Sequence, residues 1–164
     1  MTITKTLTLA AAAAAAVLGL SAAAMADSHG GEAEGGKAMD DKALVILTSD
    51  SLQTQGMAMI LSNAMQQQGT DLHILLCDAA GHLAVEGYES AEAINTPPSN
   101  PAGQVKPEGI LQMLMEKGAQ VDVCAIYLPN SDLGEDNLRE GVGVAAPGPM
   151  AEMMRDPSIP VYSF

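Results

Sequence analysis

Three short apolar runs, spaced by stretches of helical period, constrain this chain most. Residues 43–47 (ALVIL) are continuously apolar and rich in Leu, Val and Ile, the pattern of a strand covered on both faces. Thr48, Ser49, Asp50 and Ser51 then offer N-cap candidates. Met57, Ile60, Leu61 and Ala64 recur at i, i+3, i+4 and i+7, which predicts an amphipathic helix over 52–68 with those four on its apolar face, ended by Gly69. Residues 72–77 (LHILLC) supply a second strand, and the right-handed crossover of a β-α-β unit makes the two parallel. Pro107 suits a first helical turn, with Ile110, Leu111, Leu114 and Met115 on one face and Gly118 as the stop. The third run, 118–127 (GAQVDVCAIY), carries Cys124 near its end.

The intervening segments are less regular. Residues 82–94 are read as holding a short helix, and the proline-rich stretch 95–101 as a loop able to lie over the strand ends. After the third run come a loop over 129–135, one helical turn over 136–140, a short strand over 142–145, a helix over 149–155 and a closing strand over 159–164. The alternation predicts an α/β domain of three layers, α/β/α, around a mostly parallel sheet of about five strands.

The amino end reads as an address. Lys5, the apolar stretch 7–20 and the small residues Ala24 and Ala26 flanking Met25 make residues 1–26 a secretory signal peptide, with cleavage expected after Ala26 and the periplasm as destination. Residues 27–41 (DSHGGEAEGGKAMDD) carry four glycines and almost no bulky apolar side chain, too little to offset ordering entropy, so they are read as a disordered acidic linker. The domain is then 42–164. No second apolar stretch is long enough to cross a bilayer, so no membrane association is expected after cleavage.

All 20 acidic residues follow residue 26, against six of the seven basic ones. That balance argues against nucleic acid and against an anionic membrane surface. With no Trp, one Phe and three Tyr, the core must come from aliphatic residues and Met.

Chemistry narrows to two cysteines. Cys124 sits where an open α/β sheet places reactive groups, near the carboxyl end of a strand and before a polar loop. Cys77 closes the second strand. A disulfide between them needs neighbouring strands and Cα atoms within about 7 Å; two free thiols are the favoured expectation. Asp78, His82 and Tyr127 flank the two sulfurs in sequence and are expected to shape a pocket. His73, on the face of Leu75 and Cys77, reads as a satisfied core histidine. No metal-ligand spacing and no phosphate-binding loop is present, so no metal or cofactor is expected.

The order of elements resembles the DsrE/DsrF-like family of small sulfur-relay proteins. The resemblance covers roughly residues 42–164. It rests on 43–49 leading into a helix, on 72–80 ending in Cys-Asp-Ala-Ala, on 107–118 before Val-Asp-Val-Cys, and on 138–145 (LREGVGVA) followed by a short helix and 161–164. It implies a flavodoxin-like α/β fold, assembly as trimers or hexamers, and a persulfide held at the position of Cys124 and passed between partners. The expected function is therefore a periplasmic sulfur carrier or thiol-redox accessory protein, exchanging with donor and acceptor proteins or small thiols. Two other classes stay open: a non-catalytic oligomeric binding module with structural cysteines, and a Cu(I) site of soft Met and Cys ligands.

Overall fold

A computed structural model describes residues 41–100 and 102–164. The signal peptide read over 1–26 and the linker read over 27–41, its last residue excepted, lie outside the described residues. Five strands form one sheet: β1 (Lys42–Leu47), β2 (Asp71–Leu76), β5 (Gln120–Cys124), β6 (Val142–Ala145) and β7 (Val161–Ser163). Their order across the sheet is β6-β5-β2-β1-β7, and every pairing is parallel.

The order dictates the layers. From β1 through β2 and β5 to β6 the chain steps one way across the sheet, so right-handed crossovers put their connections on one face. The connections of that face include α1 (Leu52–Gln67) and α2 (Pro107–Glu116). Only the return from β6 to β7 steps back, and it sends α3 (Pro147–Arg155) to the other face. The side chains follow suit. Ala43, Val45 and Leu47 of β1, Leu72, Ile74 and Leu76 of β2, and Val121 and Val123 of β5 join Met59, Leu111 and Leu114 in the larger core. Leu44 and Leu75 pack with Ala145 and Met150 in a smaller cluster beneath α3. The sheet thus has one thick and one thin cover.

Local chemistry sets the ends of the elements. Ser51 caps α1, its Oγ accepting from the Thr54 N–H at 3.4 Å, and Gly69 follows the helix with φ +98°. Pro107 opens α2, and Gly118 stands just past its end in the same left-handed conformation.

Several expectations need correction. The predicted apolar face of α1 is only partly buried: Ile60 packs against the core and Ala64 is half-buried, but Met57 and Leu61 are 51% and 43% exposed, while Gln55, Gly56, Ala58, Met59 and Ser62 are buried. Gly56 is bare because Ile94 lies against it, where a Cβ would collide. Ile94 belongs to β3 (Ile94–Asn95), which pairs antiparallel with β4 (Gln104–Val105). The proline-rich loop therefore joins a small hairpin seated on α1, and none of its described residues lines the opening at the cysteines. The helix expected within 82–94 is a 3₁₀ stretch, η1, over Asp78–Ala84. The turn expected over 136–140 is a 3₁₀ turn at Glu135–Asn137. The third strand ends at Cys124 and not at 127: its neighbours offer no ladder beyond, and the Tyr127 N–H turns back to the Cys124 carbonyl at 2.8 Å.

Candidate functional site

Register brings the two cysteines together. β2 and β5 pair with His73 opposite Gln120 and so on to Leu76 opposite Val123. One step further, Cys77 stands opposite Cys124, and residues alternate faces, so both sulfurs point to the α3 side. Their Cα atoms are 5.1 Å apart, and the sulfurs are bonded to each other. The expectation of two free thiols is overturned for a reason of pairing: it treated the strands as unplaced, and adjacency with in-register ends puts the sulfurs within bonding reach. No described cysteine is free.

The disulfide has a dry side and an open side. Beneath, Cys77 and Cys124 pack against the Leu44–Leu75–Ala145–Met150 cluster. Above, both line a cleft of about 770 Å³ walled by Asp78, Ala79 and His82 from η1 and by Ile126, Tyr127, Asn130 and Ser131 from the loop after β5. Both cysteines are half-buried. The cleft opens at the carboxyl ends of the strands, as open α/β sheets favour, but between β2 and β5 and not at the point where the strand order reverses. That point, between β1 and β7, is closed by the chain end. The Phe164 N–H donates to the Ile46 carbonyl at 2.9 Å, and the Thr48 N–H donates to the Phe164 carbonyl at 2.9 Å.

Each expected site residue has a place here. Asp78 follows Cys77 directly with φ +51°, a conformation that Asp and Asn tolerate better than most side chains. His82 is exposed, and its Nδ1 lies 3.0 Å from the Ala79 carbonyl. A carbonyl can only accept, so Nδ1 carries a proton and Nε2 is the free basic nitrogen of the neutral ring. The His82 ring stands edge-on to Tyr127, with centroids 6.0 Å apart. Tyr127 is 6% exposed and lies flat over Gly81, where a Cβ would meet its ring. Its hydroxyl is buried without a hydrogen-bond partner among the described residues. Burial raises its pKa above the ordinary phenol value, against a smaller lowering from Ser131. The Ser131 hydroxyl itself donates to the Leu128 carbonyl at 3.2 Å.

His73 lies on the same face but outside the cleft. Its Nε2 is 2.6 Å from the Asp122 carboxylate, a diagonal cross-strand contact beneath the disulfide. It is a paired histidine, as its position suggested.

Sequence reasoning missed three contributors. Ile126 is 72% exposed at the lip of the cleft, and inside an apolar run nothing marked it as lying past the strand. Arg139 holds the wall in place: its Nε donates to the Leu83 carbonyl and its Nη2 to the Tyr88 carbonyl, both at 2.9 Å. Glu108, 6% exposed in the first turn of α2, accepts from the Ser90 N–H at 2.9 Å and its hydroxyl at 2.7 Å. Burial pushes the Glu108 pKa up, but the Ser90 bonds and Lys106 outweigh it and hold the carboxyl below the ordinary range.

Solved structures that share this fold include two proteins. The ychN protein from E. coli superposes with a TM-score of 0.58 at 16% identity, covering 75% of this chain and 99% of that one. A protein of unknown function, MTH1491 from Methanobacterium thermoautotrophicum, gives a TM-score of 0.53 at 14% identity, covering 76% of this chain and all of that one. The fold is DsrE-like. At these identities the likeness speaks to architecture alone. No family model matches the chain, and no curated protein matches it in sequence.

Proposed function

We propose that this chain is an exported sulfur-relay or thiol-redox protein of the DsrE-like fold, with Cys124 as its sulfur-bearing residue and Cys77 as its resolving partner. The observation that carries this reading is a disulfide placed at paired strand ends and lining an open cleft. A structural disulfide in a protein with a core of this size has no need of a cavity beside it.

The chemistry has two linked states. In the reduced state, the Cys124 thiolate attacks the outer sulfur of a donor persulfide. A new S–S bond forms at Cys124, the donor's own S–S bond breaks, and the donor leaves as a thiolate. An acceptor thiolate then takes the outer sulfur by the same step, returning Cys124 to thiolate. If the acceptor fails to arrive, the Cys77 thiolate attacks the inner sulfur of Cys124. The disulfide closes and the outer sulfur leaves as hydrosulfide, so two electrons pass from the cysteines to the departing sulfur. Reopening the bond needs a dithiol reductant. His82, which lines the same cleft and carries its basic nitrogen at Nε2, is suited to hold a thiol proton during exchange.

The proposal includes the periplasm as site of action, through the leader read over 1–26, and partners that are thiol or persulfide carriers. The test is intact-mass measurement of the reduced protein after exposure to a persulfide donor. Wild type gains the mass of a sulfur atom, Cys77→Ser retains that gain, and Cys124→Ser loses it. No gain on folded wild-type protein, or a gain that survives Cys124→Ser, sinks the assignment.

A further inference from the structure

Resting on that reading of the cysteine pair, the structure points to the kind of partner the cleft accepts: we infer that it is a protein segment presenting a cysteine flanked by basic residues. The disulfide cleft adjoins a second hollow of about 540 Å³ through Ala79 and His82, which line both. The formal charges lining the two hollows are Asp50, Asp78 and Glu92. No Lys or Arg among the described residues lines either one.

The cations among the described residues are engaged or remote. Arg139 donates to two backbone carbonyls, and Lys106 lies 3.2 Å from Glu89. Lys42 opens β1, Lys117 precedes β5 and Arg155 precedes β7, so all three sit at the amino ends of parallel strands, opposite the cleft. A hollow walled by one sign of charge focuses its field outward and selects approaching molecules by charge. Anionic thiols are repelled from this one. A basic flank offsets that field, and it also lowers the pKa of the attacking thiol, raising the fraction present as thiolate.

One observation independent of charge indicates a peptide. Ile126 stands 72% exposed at the lip, an apolar contact for a segment of chain and of little use to a small thiol.

The exchange is balanced by the partner alone. A partner thiolate attacks one sulfur of the pair, the Cys77–Cys124 bond breaks, and the other cysteine leaves as thiolate. A second partner thiolate then displaces the mixed disulfide, so two thiols are oxidised as the protein takes up two electrons.

The test uses the oxidised full chain and two peptides that differ only in having Lys or Glu on both sides of one Cys. Each rate of opening is divided by that peptide's rate with the neutral reagent hydroxyethyl disulfide, which removes differences in intrinsic thiol reactivity. At low ionic strength the Lys peptide is expected to be favoured about tenfold or more. The preference should shrink toward unity at high salt, as the Debye length falls to about 3 Å. Asp78→Asn, which keeps a residue tolerant of that backbone, should lower the preference, and Ile126→Ser should slow the Lys peptide more than it slows 2-mercaptoethanol. A preference of one or below, or one indifferent to salt, overturns the inference. If 2-mercaptoethanol opens the bond while the peptides show no preference, only the partner assignment falls. If no thiol opens it, the reading of the site falls as well.

Discussion

At the scale of single residues, the cleft depends on a glycine as much as on its sulfurs. Tyr127 forms a wall only because Gly81 offers no Cβ where the ring lies. The added methyl of Gly81→Ala must displace that ring or shift η1, an overpacking cost of about 1–3 kcal/mol. The expected outcome is a lower midpoint in chemical denaturation, together with an altered rate of disulfide opening, because His82 neighbours the same glycine. A variant as stable as wild type and equally reactive would show that Tyr127 is not held as described. The same residue explains what the sequence conceals. Tyr127 reads as the last member of an apolar run, yet it belongs to a turn, and only the ladder partners of β5 mark where the strand stops. Cys77 and Cys124 are conspicuous in sequence for scarcity alone. Their bond follows from register, which no window of local sequence contains.

At the scale of elements, the 86–92 segment that walls the second hollow is tied to α2 through Ser90 and Glu108. Because the folded protein holds the Glu108 carboxyl below its ordinary range, ionised Glu108 favours the folded state. Its contribution is present above the pKa of an unfolded glutamate and is lost as pH falls through the lower, folded value. Glu108→Gln should therefore cost about 1–3 kcal/mol at neutral pH, the range for breaking buried hydrogen bonds. It should also flatten the loss of stability that wild type shows below the ordinary glutamate range. Denaturation midpoints across acidic pH check both, and parallel pH profiles for the two proteins would sink the argument. The elements themselves were largely legible. Strands 43–47 and 72–77 announce themselves as apolar runs, and Gly69 and Gly118 as stops. The facing of α1 was not legible. Its buried side mixes Gln55, Gly56, Ala58 and Ser62 with Met59, and Ile60 packs partly against the core, while Met57 and Leu61 look outward. Hydrophobic period weighs apolar bulk and so passes over small and polar residues such as Gly56 and Ser62 that are buried.

At the scale of the whole molecule, the exposed Met57 and Leu61 of α1 predict association. A pair of large apolar side chains at i and i+4 on the outer face of a regular helix is a surface that a solitary domain gains nothing by exposing. The strand at the sheet margin adds to the pattern: β7 is exposed along its length, with Val161 and Tyr162 apolar and one edge unpaired among the described residues. We expect the chain to assemble with copies of itself and the α1 stripe to be among the buried contacts. Sedimentation velocity should then return a multiple of the single-chain mass. The double change Met57→Glu and Leu61→Glu should shift the mass toward one chain while leaving the far-ultraviolet circular dichroism unchanged, because neither side chain contributes to the core. Wild type sedimenting as a single chain at every concentration would remove the assembly. An oligomer that withstands both glutamates would remove α1 from it and leave the β7 margin as the surface to test. The distinction bears on the chemistry, since α1 lies against the sheet face opposite the cysteines. Copies joined through α1 keep their sulfur clefts turned away from the contact and open to a partner.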